Sequence, residues 1–487
     1  MQREEALERL ASQPFDLLVI GGGIIGAATA WLGARAGLSV ALVERDDLGS
    51  WTSSASSKLI HGGLRYLQMG DVRLVREAHT ERRALSTVVA PHLVRPRRFV
   101  FPLYRGGPVR PLELRAGLAL YGALSGFHDG IGSMLSPTAA RELVPALRLE
   151  GLRSAGSYTD HETNDSRLVI LCARAAAGAG AVIATHLGVD ALTLTAGRVD
   201  GAECGDLRIR ARTVVNASGP WVDLVRRLAD PAARPSVRLS KGAHCVVEPS
   251  RPWQAAITAP LAGGRVQFAN PWEGMLLVGT TDEPYEGDPA AVTATDADVE
   301  QIIRESHTAL EDAVVTSETI RFRFAGLRVL PLGKDGATPS ARREVVIETD
   351  PNGLVSIAGG KYTTFRRIAL DVLERAGVQQ LDRAPSPLPG AADAREVAAR
   401  LRAAYDDLSD ESIGHLARFH GSDALAIAAG DRTPIVEGSP EIAAEVAHAR
   451  DHEWVRDADD FLRRRSTLAI RGLAERARPR IEELLSR

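Results

Sequence analysis

Residues 15–44, FDLLVIGGGIIGAATAWLGARAGLSVALVE, decide the fold of this chain. The opening apolar run has the length of a buried parallel strand, and Gly21-x-Gly23-x-x-Gly26 follows it at the start of an alanine-rich helical pattern. A second apolar run ends on Glu44, about twenty residues beyond the glycines. Glycines let a pyrophosphate approach the backbone at a helix N-terminus, and a carboxylate after the second strand accepts ribose hydroxyls. We therefore expect a Rossmann site for an ADP-containing dinucleotide, either NAD or FAD.

Size and composition are those of an ordinary protein with more than one domain. At 487 residues the chain exceeds a single core, so two or three domains are expected. A net charge of -3 gives no reason to expect nucleic acid, and no run reaches the roughly 18 apolar residues of a membrane span. The charged first residues lack the apolar core of a signal peptide. Cys172, Cys204 and Cys245 lack metal spacing and are expected to be reduced core residues of a cytoplasmic protein without a metal site.

A loop rich in small hydroxyl side chains follows at residues 47–66, DLGSWTSSASSKLIHGGLRY. Such side chains let backbone approach a flat ring and still donate hydrogen bonds, whereas an NAD domain usually continues with another crossover helix. The loop therefore favours a flavin, and a serine-rich surface loop is the alternative. His61 either closes a turn or faces the redox ring. The candidate cofactor-binding residues here are Thr52, Ser53, Ser54, Ser57, Lys58, Leu59, His61 and Gly62.

Lysine is rare in this arginine-rich chain and occurs only at Lys58, Lys241, Lys334 and Lys361. Where arginine otherwise supplies positive charge, a lysine indicates a need for a compact ammonium group. Lys58, Lys241 and Lys361 lie in motif-like stretches, which favours functional roles, and codon bias is the alternative. Lys334 lies in a Gly-Asp turn and is expected to be solvated.

Two further turns are expected to bring backbone close to a ligand. A strand at 212–215 runs into Asn216-Ala-Ser-Gly219-Pro-Trp221, at the carboxyl edge of a sheet. A strand at 353–358 meets Gly359-Gly360-Lys361 before a helix at 366–375. The second turn is another glycine-rich helix N-terminus, suited to a negative group.

The remaining patterns predict an α/β (α+β) protein. Alternating strands at 237–248, 264–270, 275–281 and 318–324 predict a mixed or antiparallel substrate-side sheet, and 158–167 reads as a polar turn before a helix at 168–177. Asp393 is expected to cap the first of several C-terminal helices, with an ion-paired helix face over 457–465. The predicted domains are an oxidoreductase region, 1–385, and a helical domain, 386–487. Within the first, cofactor parts are expected at 14–90, 150–235 and 325–385, and substrate or cap parts at 91–149 and 236–324.

Residues 95–126 interleave arginines with aromatic side chains, RPRRFVFPLYRGGPVRPLELRAGLALYGALSG. This composition suits a surface in the headgroup layer of an anionic membrane. A loop with snorkelling arginines packed on the core is the alternative. The residues alone leave these two interpretations even.

The motifs GGGIIGA, TSSASSKLIHGGLRYL, NASGPWV, KGAH, GTTD, GLRVLP and GGKYTTFR occur in this order. From about residue 16 to 465 the sequence resembles the FAD-dependent, quinone-linked glycerol-3-phosphate dehydrogenases of aerobic bacteria and mitochondria. The resemblance implies a glutathione-reductase-like FAD domain, a substrate domain with an antiparallel sheet, and a helical C-terminal domain. It implies oxidation of sn-glycerol 3-phosphate to dihydroxyacetone phosphate, with electrons passing through FAD to membrane quinone. The expected place is the cytoplasmic face of the cell membrane, in peripheral contact with anionic lipid, and a homodimer is compatible with it.

The resemblance also assigns roles to residues. Arg65, Arg328 and Arg343 resemble arginines that bind the substrate phosphate, although Arg342 competes with Arg343 for the match. Tyr66 resembles a substrate-side tyrosine, and Lys361 a lysine near flavin and substrate. Gly219, Gly360 and Thr363 fall in motifs that contact the cofactor. His61 and His244 are the candidate bases, and the sequence does not rank them.

Other interpretations stay open beside this one. A glycerol-3-phosphate oxidase would perform the same half-reaction with O2 as the acceptor, and the basic-aromatic segment favours quinone. A related FAD-dependent amine or hydroxy-acid oxidase would need one arginine for a carboxylate, whereas the arginine cluster favours phosphate. A catalytically silent flavin-fold module on a membrane is a third possibility, which the intact His61, Lys361 and Arg328 disfavour.

Overall fold

The computed structural model describes residues 2–64, 67, 70–332 and 345–487. The strands are β1 (Phe15–Ile20), β2 (Val40–Val43), β3 (Leu59–Ile60), β4 (Arg95–Tyr104), β5 (Ser133–Leu135), β6 (Leu152–Glu162), β7 (Val182–Ala184), β8 (Ala191–Thr195), β9 (Arg198–Cys204), β10 (Leu207–Asn216), β11 (Val237–Val247), β12 (Ala256–Pro260), β13 (Val266–Trp272), β14 (Met275–Gly279), β15 (Glu283–Tyr285), β16 (Ile320–Pro331), β17 (Val345–Thr349) and β18 (Val355–Gly359). The helices are α1 (Arg3–Ser12), α2 (Ile24–Arg35), α3 (Val72–Ala84), α4 (Pro111–Leu124), α5 (Pro137–Leu143), α6 (Asp165–Gly178), α7 (Val222–Ala229), α8 (Asp296–Ser306), α9 (Phe365–Arg375), α10 (Ala394–Ala404), α11 (Asp410–His420), α12 (Ala424–Ile427), α13 (Ala443–His452), α14 (Ala458–Asp460) and α15 (Ala474–Leu485).

The first sheet has the order β17-β18-β10-β1-β2-β7, and the β8–β9 hairpin extends from β10. Strands β18, β10, β1, β2 and β7 are parallel, while β17 joins the edge in antiparallel fashion. Strand β1 lies inside the sheet because it is apolar on both faces, and Leu17, Leu18 and Val19 are buried. Helices α2, α6 and α9 pack together against this sheet. The predicted Rossmann unit is therefore confirmed.

The second sheet has the order β15-β11-β14-β13-β12-β4-β6-β3, with β16 paired to β11 and β5 to β6. Most pairs are antiparallel, and β4 with β12 is a parallel pair, so the predicted mixed or antiparallel sheet is confirmed. Helices α5 and α8 contribute to the apolar core of this sheet, through Ala140 and Ile302. Strands β3 and β6 belong to this sheet, although the sequence predicts them within the cofactor parts, and β16 crosses the predicted boundary between residues 324 and 325. Residues 158–162 are therefore part of β6 and not of a polar turn.

The basic-aromatic segment begins as β4, an inner strand of the second sheet. Its Phe99 and Phe101 are buried, and Arg97 pairs with Glu162 at 2.7 Å. The prediction of a membrane-facing surface is wrong for residues 95–104, because β4 hydrogen-bonds to β6 on one edge and to β12 on the other. Among the described residues, no helix combines the length and the apolar character that crossing a bilayer requires.

Helices α10 to α15 pack around two apolar clusters of their own. Asp393 caps α10, since its carboxylate accepts from the Arg395 amide at 2.7 Å, which confirms the predicted cap. The segment 457–465 differs from the predicted ion-paired surface. Its Arg464 and Arg465 are buried against Asp47, in the loop after β2. The C-terminal helices therefore contact the first sheet's ligand-side loops directly.

Candidate active site

A cavity of about 1070 Å³ opens between the carboxyl ends of the first sheet and one face of the second. Gly21 and Glu44 line it from the first sheet, and His244 and Arg328 from the second. Typical small-molecule pockets have volumes of roughly 300–1,000 Å³. The cavity is therefore large enough for an extended ligand together with a small substrate.

The glycine turn forms one end of this cavity. Gly21 has φ +107°, and a Cβ there would lie 2.6 Å from the Ala217 carbonyl oxygen. Gly23 is the N-cap of α2 and has no side chain of its own to cap the helix, and the Ser53 hydroxyl accepts from the first helical amide, that of Ile24, at 3.0 Å. A Cβ on Gly26 would lie 1.9 Å from the Gly21 carbonyl oxygen, so Gly26 permits close helix–strand packing. The backbone of this turn lines the cavity at Gly21 and Gly23, at the N-terminus of α2, which fits a pyrophosphate.

Glu44 follows β2 beside the glycine turn. Its carboxylate accepts from the Gly22 amide at 2.6 Å and from the Asp46 amide at 2.9 Å. Burial raises the pKa of Glu44 to about 7 despite these two hydrogen bonds. Hydroxyl donors from a bound ribose would favour the charged carboxylate, so Glu44 fits the predicted role.

The hydroxyl-rich loop ties the two sheets together along the cavity wall. The Thr52 hydroxyl donates to a carbonyl of β16 at 2.8 Å, and Ser53 accepts from the Ile24 amide at 3.0 Å. Ser57 Oγ lies 2.9 Å from His244 Nε2. These three hydroxyls and Leu59 are in the wall, as predicted for a ligand-facing loop.

Four predicted cofactor-binding residues are not in the wall, namely Gly26, Ser54, Lys58 and Gly62. The Lys58 ammonium donates to Asp165 Oδ1 at 2.5 Å and to the Ser54 carbonyl at 2.6 Å. The Gly62 amide donates to Asp160 at 3.0 Å. Lys58 therefore contacts a carboxylate outside the cavity wall, Asp165, and Gly62 contacts one within it, Asp160.

The three lysines of motif-like stretches thus have different surroundings. Lys58 and Lys241 form ion pairs with carboxylates, and Lys241 Nζ lies 2.7 Å from Asp298. Lys361 lines the cavity. The rarity of lysine therefore points to buried ion pairs at two positions and to the ligand cavity at one.

The second glycine turn lies next to the hydroxyl-rich loop. Gly360 has φ +97°, and Thr363 follows within the turn that leads into α9. The His61 amide donates to Thr363 Oγ1 at 3.2 Å. The two predicted motifs, around His61 and around Lys361, are therefore brought together, and all four of these residues line the cavity. Gly219, from the turn after β10, is also in the wall.

His244 is buried in the second sheet, with its ring stacked on Phe324 at 5.1 Å. Burial, together with the positive charges of Arg328 and Lys58, lowers the pKa of His244 to about 3. The imidazole is therefore neutral at neutral pH. A neutral imidazole can accept a proton from a substrate hydroxyl.

Arg328 reaches the same wall from the neighbouring strand β16. Its guanidinium donates to Thr280 Oγ1 at 2.9 Å and to Asp282 Oδ1 at 3.2 Å. A Cβ on Gly242 would overlap this guanidinium at 2.4 Å, so the glycine in the KGAH motif makes room for it. A planar guanidinium fixed in this way suits a phosphate or carboxylate.

Three predicted substrate-binding residues, Arg65, Tyr66 and Arg343, lie outside the described residues, as does Arg342. Their assigned roles stay predictions.

Several polar cavity residues escaped the sequence analysis. Asp160 and Tyr158 come from β6, and Arg265 precedes β13. Tyr158 bonds to the Thr258 hydroxyl at 2.8 Å. The alternation in the stretch LRSAGSYTDHE could have indicated a strand with Tyr158 and Asp160 on the same face. Only strand pairing, however, brings that face to this cavity.

The sequence matches two family models. Residues 16–366 match the FAD dependent oxidoreductase model, and residues 384–487 match the C-terminal domain of alpha-glycerophosphate oxidase. Glycerol-3-phosphate dehydrogenase 2 of Mycobacterium tuberculosis is 37% identical over 491 residues, which cover 96% of this chain and 83% of the relative. The chain belongs to the FAD-dependent glycerol-3-phosphate dehydrogenase family.

Other members of the glycerol-3-phosphate dehydrogenase family show the same likeness. The mitochondrial enzyme of Rattus norvegicus is 36% identical, over 97% of this chain and 70% of the relative. The structure of the Bacillus halodurans glycerol-3-phosphate dehydrogenase, complexed with FAD, superposes with a TM-score of 0.79 at 27% identity and covers 99% of this chain and 93% of that chain. L-alpha-glycerophosphate oxidase from Mycoplasma pneumoniae shares the fold, with a TM-score of 0.61 at 18% identity over 77% of this chain and 99% of that chain.

FAD, the cofactor of this dehydrogenase family, fits the residues present. The glycine turn would hold the pyrophosphate, because Gly21 and Gly23 line the cavity without side chains. Glu44, which lines the same end of the cavity, would accept hydrogen bonds from the ribose hydroxyls. The loop around Ser57 and the turn around Lys361 would hold the remaining, ring-bearing part.

Proposed function

We propose that the protein oxidises sn-glycerol 3-phosphate to dihydroxyacetone phosphate. The observation that carries this proposal is the pairing of a neutral imidazole, His244, with a fixed guanidinium, Arg328, in the wall of a dinucleotide cavity. A secondary alcohol that bears a phosphate needs both groups: a proton acceptor for its hydroxyl and a cation for its phosphate. FAD, when bound, supplies the acceptor of the hydride that leaves C2.

The proton of the substrate hydroxyl passes to a histidine in this proposal. His244 is the better candidate of the two, because it is neutral and its Nε2 is held by Ser57. Its low pKa is caused in part by the charge of Arg328. A phosphate dianion bound to Arg328 would offset this charge and raise the pKa toward neutrality, so substrate binding itself would make His244 a stronger base. His61 is the alternative base.

The phosphate is proposed to bind at Arg328. Thr280 and Asp282 orient the guanidinium, which reduces the entropy lost when the phosphate binds. Arg265 adds a second positive charge to this part of the wall and is itself held by Glu305 at 2.6 Å. Two cations suit a dianion better than a carboxylate, which favours a phosphate ester over the amino or hydroxy acids of related oxidases.

Electrons are proposed to pass on to a membrane quinone, at the cytoplasmic face of the cell membrane. The support is a basic and apolar surface that starts after β4. Leu112, Leu120, Phe127 and Ile131 are exposed on and after α4, with Leu112 77% exposed and Ile131 69% exposed. Arg105, Arg110 and Arg115 are exposed beside them. We call these seven residues the α4 surface. Large apolar side chains beside arginines favour the interface of an anionic bilayer.

A glycerol-3-phosphate oxidase is the second candidate, because the C-terminal helices match a domain named after alpha-glycerophosphate oxidase. One experiment tests both. Glycerol 3-phosphate is added to the FAD-loaded protein without oxygen, and the flavin absorbance near 450 nm should bleach. A soluble quinone should then restore the absorbance much faster than air. Faster recovery in air, with release of hydrogen peroxide, would favour the oxidase, and a failure to bleach would contradict both.

A further inference from the structure

The C-terminal helices contact the loop that carries Glu44 without lining the cavity. Among the described residues, Thr363 is the last residue of the cavity wall. Yet Asp47, three residues after Glu44, is buried between Arg464 and Arg465, which follow α14 in the chain. The two arginines therefore contact a loop of the cavity wall without lining the cavity.

The contact is a compact, buried group of four charges. Both arginines donate to the Asp47 carboxylate, and Arg465 Nη2 lies 2.8 Å from Asp47 Oδ1. Arg464 also donates to Asp460 at 2.9 Å. The side chains of all four residues are at most 9% exposed. Two carboxylates balance two guanidinium groups, and removing one member would leave a buried charge without compensation.

Hydrogen bonds connect this group to Glu44. The Asp46 amide donates to Glu44 Oε1 at 2.9 Å, and the Ser50 hydroxyl donates to the Asp47 carbonyl at 2.6 Å. The Gly49 amide then reaches the Gly22 carbonyl of the glycine turn at 3.0 Å. Residues 44–50 are therefore held by the glycine turn on one side and by the C-terminal helices on the other.

A second link joins Asp460 to the same loop. His186 Nε2 lies 3.0 Å from Asp460 Oδ2, and the His186 amide donates to the Asp46 carbonyl at 2.7 Å. The Leu187 amide donates to the Glu44 carbonyl at 2.8 Å. Both links start within residues 460–465 and end on the backbone that carries Glu44.

We propose that Arg464 and Arg465 are positioning residues for FAD. By fixing Asp47, they hold the Glu44 carboxylate where it takes the ribose hydroxyls, so that retention of the cofactor depends on the C-terminal helices. This inference concerns binding of FAD and does not depend on which alcohol is oxidised or which acceptor takes the electrons.

The test uses the full-length chain with Arg464→Met or Arg465→Met. Arg463→Met is the matched control, since Arg463 is the adjacent arginine, is 58% exposed and lies 4.0 Å from Asp459. Apoprotein is titrated with FAD, and the dissociation constant is read from the quenching of flavin fluorescence. We expect the FAD dissociation constant to rise by about tenfold or more for each variant, because the loss of one charge-assisted hydrogen bond has an effect of this size. The dissociation constant of the control should not change.

A merely structural role would give a different result. The thermal midpoint would then fall equally with and without FAD, and folded protein would bind FAD with unchanged affinity; this outcome would overturn the proposal.

If Arg465→Met does not fold, Asp47→Asn tests the same contact by changing the carboxylate partner of the arginines. Asparagine has nearly the same shape and removes the charge. Weaker FAD binding is expected for Asp47→Asn, with little further loss when Arg464→Met is added, because both changes break one interaction. Fully additive losses, or unchanged FAD binding by Asp47→Asn, would contradict the proposal. Arg464→Lys, which keeps the charge, should recover part of the affinity.

Discussion

The pKa of His244 shows how neighbouring charges can couple substrate binding to proton transfer. The imidazole is buried near two cations, and both favour its neutral form. One of them, Arg328, is also the proposed phosphate ligand. The proposed base and the proposed phosphate ligand therefore influence each other through their charges.

His244→Gln should lower kcat by roughly 10²- to 10⁴-fold, the usual contribution of a general base. Glutamine retains a polar side chain near Ser57, so FAD should remain bound. Stopped-flow bleaching of the flavin by glycerol 3-phosphate measures the effect directly. The same experiment with His61→Gln is the comparison, and a larger loss there would transfer the role of base to His61.

Arg328→Ala should raise KM for glycerol 3-phosphate by about 10- to 100-fold, since a hydrogen bond to a charged group contributes roughly 1.5–3 kcal/mol. The flavin spectrum should not change. Arg323→Ala is the control, because Arg323 lies on the same strand β16, is 47% exposed, and pairs with Asp296 away from the cavity wall. A KM equal to that of the parent would remove Arg328 from the phosphate site.

At the scale of elements, helix α4 and the turn after it carry the proposed membrane contact. Leu114 and Leu118 point into the core, while Leu112 and Leu120 are exposed. The helix is therefore apolar on more than its packed face, which a fully solvated helix seldom is.

Changing Leu112, Phe127 and Ile131 together to serine should weaken binding to anionic vesicles by about tenfold or more, because each large apolar side chain contributes up to roughly 1.5–3 kcal/mol on full burial. Cosedimentation with vesicles measures this. Serine at Leu149 and Leu194, which are 42% and 43% exposed elsewhere, is the control. Activity with a soluble acceptor should not change, and equal vesicle binding would exclude the α4 surface.

The cofactor turn could be predicted from the sequence because its chemistry is local. Strand, glycines, helix and Glu44 follow one another within 15–44, and each has a backbone requirement that few residues meet. Asp160 and Arg265 could not be predicted in this way. Asp160 reaches the cavity because β6 pairs with β4, with Arg97 opposite Asp160, and this register is set by contacts between distant segments.

Residues 95–104 show the converse failure. Arginines beside aromatics have the composition of a membrane interface, but composition does not say whether both edges of a strand are paired. The pairing of β4 with β6 and β12 buries Phe99 and Phe101. For the part of the segment that leaves the sheet, where α4 begins, the membrane contact stays a proposal.

At the scale of the whole molecule, another buried arginine joins the first sheet's helices to the C-terminal helices. Arg167, on α6, donates to the Phe419 carbonyl at 3.1 Å, to Glu453 at 2.5 Å and to His420 Nδ1 at 3.2 Å. His420 must therefore be neutral at Nδ1 to accept this bond. Burial and the charge of Arg167 lower the pKa of His420 to about 4. The same two causes lower the pKa of the nearby His92 to about 3.

This network predicts a loss of stability in mild acid. Both histidines have a lower pKa in the folded protein than the value near 6.5 of an unfolded chain, so their contribution is complete above pH 6.5 and is lost as the pH falls toward 4. Each can add a slope of up to about 1.4 kcal/mol per pH unit. Denaturant unfolding at pH 7 and pH 5 measures the slope.

His420→Gln should reduce that slope, while the same change at the exposed His128 should not. If the free energy of unfolding changes equally between pH 7 and pH 5 in the parent and in His420→Gln, His420 is not a source of the pH dependence.

The link between Asp47 and the two arginines has a consequence for biosynthesis. Arg464 follows Asp47 by 417 residues, so during translation the glycine turn emerges and can fold long before its distant support exists. Lasting capture of the flavin would then be a late step, completed after the ribosome has released the last helices. Chains that terminate early would accumulate in the cell as colourless protein, even when vitamin supply is ample.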